Sequence, residues 1–240
     1  MGKYILAIDQ STTTTKAILF NRKAEVVGRS DVNHEQIHPQ SDWVEHDPEE
    51  IWGNLLAAVR NVVKHTGISK DEIACISVTN QRETTMLWTK AGKPAYHAIV
   101  WQCRRTAPMV EAIASDPATA AEITARTGLV PDAYFSASKL AWILGEVPGA
   151  RARAEAGELC FGTVDSWLIW KLTDGAVHAT DVTNASRTML YNIHERRWDP
   201  FLLKLFGIPE AILPEVRPSS GSFGITANPG LVQGIPICGV

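Results

Sequence analysis

Three strand-like segments precede the first helix, and this order constrains the fold more than any other feature of the chain. Tyr4-Ile5-Leu6-Ala7-Ile8 and Ala17-Ile18-Leu19-Phe20 are apolar runs of strand length, separated by the hydroxyl-rich turn Asp9-Gln10-Ser11-Thr12-Thr13-Thr14-Thr15-Lys16. Glu25 to Val32, with Val26 and Val27, supplies the third strand. A helix is then predicted from its punctuation. Asp47 suits the N-cap, Pro48 the first helical position, and Glu50 a capping box. Ile51, Trp52, Leu55, Leu56, Val59, Val62 and Val63 form a stripe at helical spacing, and Gly67 ends it. Cys75 to Val78 reads as a buried strand, and Met86 to Trp88 as another. A meander of three strands excludes the βαβ opening of a dinucleotide-binding fold, and there is no G-x-G-x-x-G or Walker A sequence. Strands leading, then alternating with helices, predict an α/β fold with a mixed β-sheet flanked by helices.

Further along, Ala95 to Trp101 reads as a strand and Asp116-Pro117 opens a helix that Gly128 closes. Ser136 to Leu144 and Val164 to Leu172 are predicted helical, as is Phe201 to Phe206. Leu159 to Phe161, Met189 to Tyr191 and Ile235 to Val240 read as strands, Asp174-Gly175 as a turn, and 214–222 as loop. The composition, 45% hydrophobic and 20% charged, is that of a soluble globular protein. A net charge of -3 gives no reason to expect nucleic acid or an anionic membrane surface as partner. No apolar run approaches the roughly 20 residues of a membrane span, and Asp9 arrives too early for a secretory signal. Cys75, Cys103, Cys160 and Cys238 are scattered, which suits reduced thiols in a cytosolic protein better than disulfides or a metal site.

The chemistry-bearing residues follow strand ends. The 9–16 turn gathers backbone N–H groups, threonine hydroxyls and one lysine, a combination that suits a phosphate chain, with Asp9 placed to hold a hydrated magnesium ion. An ordinary polar hairpin is the alternative. Phosphate held on a hairpin, not on a glycine-rich helix start, is the geometry of the actin-like, ribonuclease H-like ATPases. Asn80 to Thr85 offers Arg82 as a fork of donors beside Glu83 as acceptor, suited to the vicinal hydroxyls of a polyol or, alternatively, to a surface ion pair. Trp101 would face the C–H side of such a ligand or cap the core, while Arg104 and Arg105 would order the loop or face solvent. In the 128–136 loop Tyr134 supplies an aromatic wall and a hydroxyl, or packs in the core.

Taken together, Asp9 to Thr13, Trp43 to Pro48, Thr79 to Thr85, Ile99 to Thr106, Tyr134 to Lys139, Phe161 to Trp170 and Thr183 to Leu190 are similar to the N-terminal half of the FGGY carbohydrate kinase family, on the side of its glycerol-phosphorylating members. The resemblance implies ATP and Mg2+ as cofactors and glycerol as the acceptor. Thr12, Thr13 and Thr14 would contact the nucleotide phosphates, with Lys16 near them and Asp9 holding the metal through water. Arg82, Glu83, Trp101 and Tyr134 would form the glycerol pocket. Ser11 departs from the family's glycine, and Lys16 from its arginine. The resemblance also implies a C-terminal nucleotide-binding domain beyond Val240 that carries the catalytic aspartate. Residues 1–240 alone would then be inactive. The full-length protein would be cytoplasmic and a homo-oligomer. Another polyol or ketose as acceptor, or a non-catalytic binding module, remain the alternatives.

Overall fold

β1 (Tyr4–Gln10), β2 (Thr14–Phe20) and β3 (Val26–Asn33) form the expected antiparallel meander in the computed structural model, which describes residues 2–231 and 233–240. β4 (Glu45–His46) and α1 (Pro48–Thr66) follow, then β5 (Ile73–Asn80), β6 (Met86–Thr89) and β7 (Ala98–Ile99). Four helices come next: α2 (Ala107–Ala114), α3 (Pro117–Thr127), α4 (Ser136–Glu146) and α5 (Ala150–Glu155). β8 (Leu159–Gly162), α6 (Val164–Leu172), β9 (Ala179–Asp181) and α7 (Val182–Ala185) lead to the small hairpin β10 (Tyr191–Asn192) and β11 (Arg197–Trp198). α8 (Pro200–Phe206), β12 (Glu215–Arg217) and β13 (Ile237–Gly239) complete the order.

The main sheet runs β13-β5-β1-β2-β3, with β13, β5 and β1 parallel and β2 antiparallel to both its neighbours. Period-two alternation sends Leu6, Ile8, Ala17, Leu19, Ile76 and Val78 to one face, where α1 packs on β2 and β3, and α6 on β5. Each leucine, isoleucine or valine among them contributes about 1.5–3 kcal/mol on burial. Asp9 and Lys16, on the opposite face, sit directly across β1 and β2 from each other.

Residues 81–236 form an insertion between β5 and β13, and most of it packs around a second core of Phe135, Leu140, Ile143, Phe161, Leu190, Leu202 and Phe206. The β6–β8 ribbon is the wall between the cores. Met86, Trp88 and Cys160 point into the sheet's core, whereas Leu87, Leu159 and Phe161 point into the second.

The helix punctuation acts largely as read. Asp47 accepts the Glu49 N–H at 2.8 Å, and Gly67 and Gly128 close α1 and α3 with φ of 68° and 71°. The capping box is absent, because the Glu50 carboxylate instead accepts the backbone N–H of Glu35. The strand expected over Ala95 to Trp101 shrinks to β7, since its partner β4 is only two residues long. Met189 has φ of 62°, so the strand expected there begins at Tyr191. The 214–222 segment contains β12, paired in parallel with β9. All four cysteines are free; Cys103 and Cys160 are buried, and Cys238 is exposed. Among the described residues no helix is long and apolar enough to cross a membrane.

Candidate functional site

The β1–β2 turn is tied together from its own side chains. Lys16 Nζ reaches Asp9 Oδ2 at 2.6 Å and Ser11 Oγ at 3.0 Å, and Ser11 Oγ donates to Asp9 Oδ1 at 2.9 Å. Ser11 is not among the residues with positive φ, so serine takes this position without left-handed strain. Thr14 Oγ1 donates to Asn33 Oδ1 at 3.0 Å, and the exposed Thr13 hydroxyl lies 3.3 Å from that of Thr14. The Thr12 hydroxyl does something different: it accepts the indole N–H of Trp101 at 3.1 Å. That bond joins the sheet's hairpin to the inserted lobe.

From Trp101 the contacts continue in a line. Its ring lies 5.3 Å from that of Tyr134, and the Arg187 guanidinium sits 5.8 Å from Tyr134 and 5.0 Å from Phe135. Arg187 Nε donates to Glu83 Oε1 at 2.6 Å. Glu83 is buried and holds φ of 65°, a conformation costing a non-glycine residue on the order of 1 kcal/mol or more. Its surroundings over-determine it. The Glu83 carbonyl accepts from Ser136 Oγ at 2.9 Å and Thr85 Oγ1 at 3.1 Å, and Arg187 fixes the carboxylate. Arg82 does not pair with Glu83; its side chain is exposed and has no hydrogen-bond or ion-pair partner among the described residues. Contacts thus link the hairpin to Trp101, Trp101 to Tyr134, and Tyr134 to Glu83 through Arg187, while no side-chain contact ties the exposed Arg82 to them among the described residues. Cavities of about 590 and 550 Å³ lie elsewhere, and neither includes a residue of this cluster.

Buried charges hold the two loops that carry the aromatic rings. Arg105 is fully buried, paired to Glu45 at 2.6 Å and flanked by the Trp43 and Trp142 rings at 3.8 and 4.6 Å. It thus orders the segment after Trp101. Burial pushes the Glu45 carboxyl up, but Arg105, His97 and Tyr96 more than reverse this and hold it below its ordinary range. Arg104 bridges to Asp132 at 2.7 Å, and the same Asp132 oxygen accepts the Tyr134 N–H at 2.7 Å. Lys139, wholly buried, donates to the carbonyls of Ala133, Tyr134 (2.9 Å) and Phe135 (3.3 Å). Burial brings its ammonium down to about 7.

Sequence reasoning missed Arg187, Lys139 and the polar frame beneath α7. Asp181 accepts from Asn184 N and Nδ2 at 2.8 Å each, and Asn80 Nδ2 donates to Asn184 Oδ1 at 2.9 Å. This frame ties the end of β5 to the turn presenting Arg187. Nearby, Asp165 accepts the hydroxyls of Thr163 and Thr180, and burial raises its carboxyl to about 6. A signal was available in the resemblance, whose stretch Thr183 to Leu190 contains Arg187 without giving it a role.

Among the described residues no group of three or more His, Cys, Asp or Glu side chains forms a metal cage. Asp9 remains a suitable oxygen donor for a magnesium ion that brings its own waters and phosphate ligands, although Lys16 shares that carboxylate.

Residues 4–240 match the family described as "FGGY family of carbohydrate kinases, N-terminal domain". The glycerol kinase of Symbiobacterium thermophilum is 55% identical over 240 residues, covering 99% of this chain and 48% of that protein. Glycerol kinase 1 of Thermotoga maritima is 55% identical over 238 residues, again 99% of this chain and 48% of the relative. Among solved structures, Plasmodium falciparum glycerol kinase with ADP superposes with a TM-score of 0.93 at 36% identity, covering 98% of this chain and 47% of that one. Gluconate kinase from Lactobacillus acidophilus, at 21% identity and a TM-score of 0.87, shares the fold. The chain spans about half the length of the relatives it matches.

Proposed function

The chain belongs to the FGGY family of carbohydrate kinases, and from that premise we propose that it is the acceptor-binding half of an ATP-dependent glycerol kinase. The observation that supports this reading is the line of contacts from Thr12 through Trp101 and Tyr134 to Arg187 and Glu83, which joins polar and aromatic side chains suited to a polyol to the hairpin. The relatives that match across the whole chain carry the name glycerol kinase.

In this reading Trp101 and Tyr134 cover the C–H side of glycerol. Glu83, oriented by Arg187, accepts from hydroxyl groups, and Arg82 donates to them with guanidinium N–H groups that have no partner among the described residues. Such a pocket rejects analogues lacking a hydroxyl, because its own polar groups would go unpaired. Thr12, Thr13 and Thr14 face the nucleotide phosphates with their hydroxyls and amides, and Lys16 adds positive charge. Magnesium, held by Asp9 through water, would neutralise charge developing on the transferred phosphoryl group. The base that takes the proton from the attacking hydroxyl, and the adenine site, belong to a second, C-terminal domain. Closure of the two halves would exclude water. A cytoplasmic setting and self-association of the full-length protein go with this reading.

The test is turnover. The full-length protein should release ADP from ATP only when glycerol is present, and residues 1–240 alone should release none. Arg82→Ala should raise the glycerol KM at least tenfold; an unchanged KM sinks the assigned pocket. A panel of polyols and ketoses under the same assay separates glycerol from other acceptors. Saturable glycerol binding by an inactive full-length protein would favour a non-catalytic module instead.

A further inference from the structure

Beneath the hairpin lies a column of uncharged polar side chains: Gln10, Gln81, His46 and Gln36, of which all but Gln36 are buried. Their donors meet successive carbonyls of the turn. Gln10 Nε2 donates to Ser11 O at 2.8 Å, Gln36 Nε2 to Thr12 O at 2.9 Å, and the His34 backbone N–H to Thr13 O at 3.2 Å. The carbonyls of Ser11 and Thr12 are thus held by the column, and that of Thr13 by the chain continuing from β3. In a trans peptide the C=O and the following N–H point in opposite directions, and no described peptide is cis. The N–H groups of Thr12 and Thr13 consequently point away from the column. Those of Thr12 and Thr13 have no partner among the described residues. Consecutive outward amides make a concave anion cradle.

The orientation of the column follows from its ends. Thr12 O can only accept, so the Gln36 nitrogen faces it and the Gln36 oxygen faces His46 Nε2 at 2.8 Å. His46 therefore carries its proton on Nε2, and Nδ1 accepts from Gln81 Nε2 at 3.3 Å. Gln81 Nε2 also reaches Gln10 Oε1 at 3.0 Å, while its oxygen accepts from Thr84 Oγ1 at 2.9 Å. A second proton on His46 would oppose a donor. Burial, with His34 and His38 adding to it, takes this imidazole down to about 3, so it stays neutral at working pH.

We propose that Gln36, His46 and Gln81 are positioning residues: they hold the carbonyls of Ser11 and Thr12 inward and so aim the hairpin amides at the phosphates of a nucleoside di- or triphosphate. The inference rests on the reading that this hairpin receives phosphate. Gln36→Leu removes the donor to Thr12 O at near-constant size, and Gln36→Glu keeps the acceptor for His46 but places an anion against a carbonyl. In the full-length protein both variants should bind ADP about tenfold more weakly by calorimetry and raise the ATP KM by a similar factor. The glycerol KM should stay within threefold. A structural role alone would not produce that split. In the wild type, hydrogen exchange at Thr12 and Thr13 should be fast without nucleotide and slowed by ADP, a measurement that needs no variant. A wild type that phosphorylates glycerol, alongside variants that bind ADP as it does, overturns this inference and leaves the function standing. Slow exchange at these amides without nucleotide overturns it equally. A wild type that neither binds ADP nor turns over overturns both.

Discussion

Replacing Arg187 with methionine isolates the charge that the site keeps buried. The Glu83 side chain is 4% exposed and its only ion-pair partner among the described residues is Arg187, itself 32% exposed. Removing one partner of a fully buried pair costs about 3–5 kcal/mol, because the other charge is left without compensation. Water reaching the arginine end reduces this to about 2 kcal/mol. Losing the guanidinium over Tyr134 and Phe135 adds about 0.5–1 kcal/mol. The sum, about 2–3 kcal/mol, corresponds to a fall of roughly 5–10 °C in Tm for a domain of this size. Urea denaturation followed by tryptophan fluorescence measures it directly. The decisive arm is the double variant. With Glu83→Gln in place no stranded charge remains, so Arg187→Met should cost about 1–2 kcal/mol less in that background. Strict additivity, or a single-variant cost below about 0.5 kcal/mol, would refute the assignment of Arg187 as the group that holds Glu83.

Other expectations concern buried charge. Lys139 titrates near 7 in the folded chain against 10.5 when exposed, so the unfolded chain binds more protons between those values. Stability should therefore rise with pH across that window, by up to about 1.4 kcal/mol per unit, and Lys139→Met should flatten the slope; equal slopes in denaturant titrations at pH 7 and 9.5 would dismiss this. Asp165 runs the other way. Its carboxyl is raised from 3.8 to about 6, so its contribution is complete below about pH 3.8 and is lost as pH rises through 6. Asp165→Asn should gain on the wild type in denaturation midpoint between pH 4 and 7, and an unchanging difference would count against the buried-charge account. Arg105→Lys keeps the charge but loses the planar group between Trp43 and Trp142; a loss of about 1–3 kcal/mol and a raised glycerol KM are expected, and a wild-type glycerol KM would show that Arg105 does not place Trp101.

What could be read in the sequence was local. Asp47-Pro48 with Gly67, and Asp116-Pro117 with Gly128, mark two helices because caps act within one turn. The opening meander was legible because apolar alternation and a polar turn sit side by side in the chain. β9 and β12 were not, since a three-residue strand has no periodicity of its own and exists only through a distant partner. Glu50 has the right spacing for a capping box, yet tertiary structure brought it the Glu35 amide instead. Trp101, Tyr134 and Glu83 were found as residues, but the link between Tyr134 and Glu83 runs through Arg187, which lies 104 positions from Glu83. His46 and Gln81 lie in stretches that carry the resemblance and Gln36 does not; the column they form carries no net charge and joins positions far apart in the chain, so its contacts were not legible.

The β6–β8 ribbon separates two cores; the hairpin belongs to the sheet that lines the first, and Tyr134 packs against the second. Mutational drift in the inserted lobe can reshape the second surface without disturbing the strand register that builds the first. The two surfaces are thereby free to evolve at separate rates, coupled through the few hydrogen bonds that cross from the lobe to the hairpin, Trp101 to Thr12 and Gln81 to Gln10 among them.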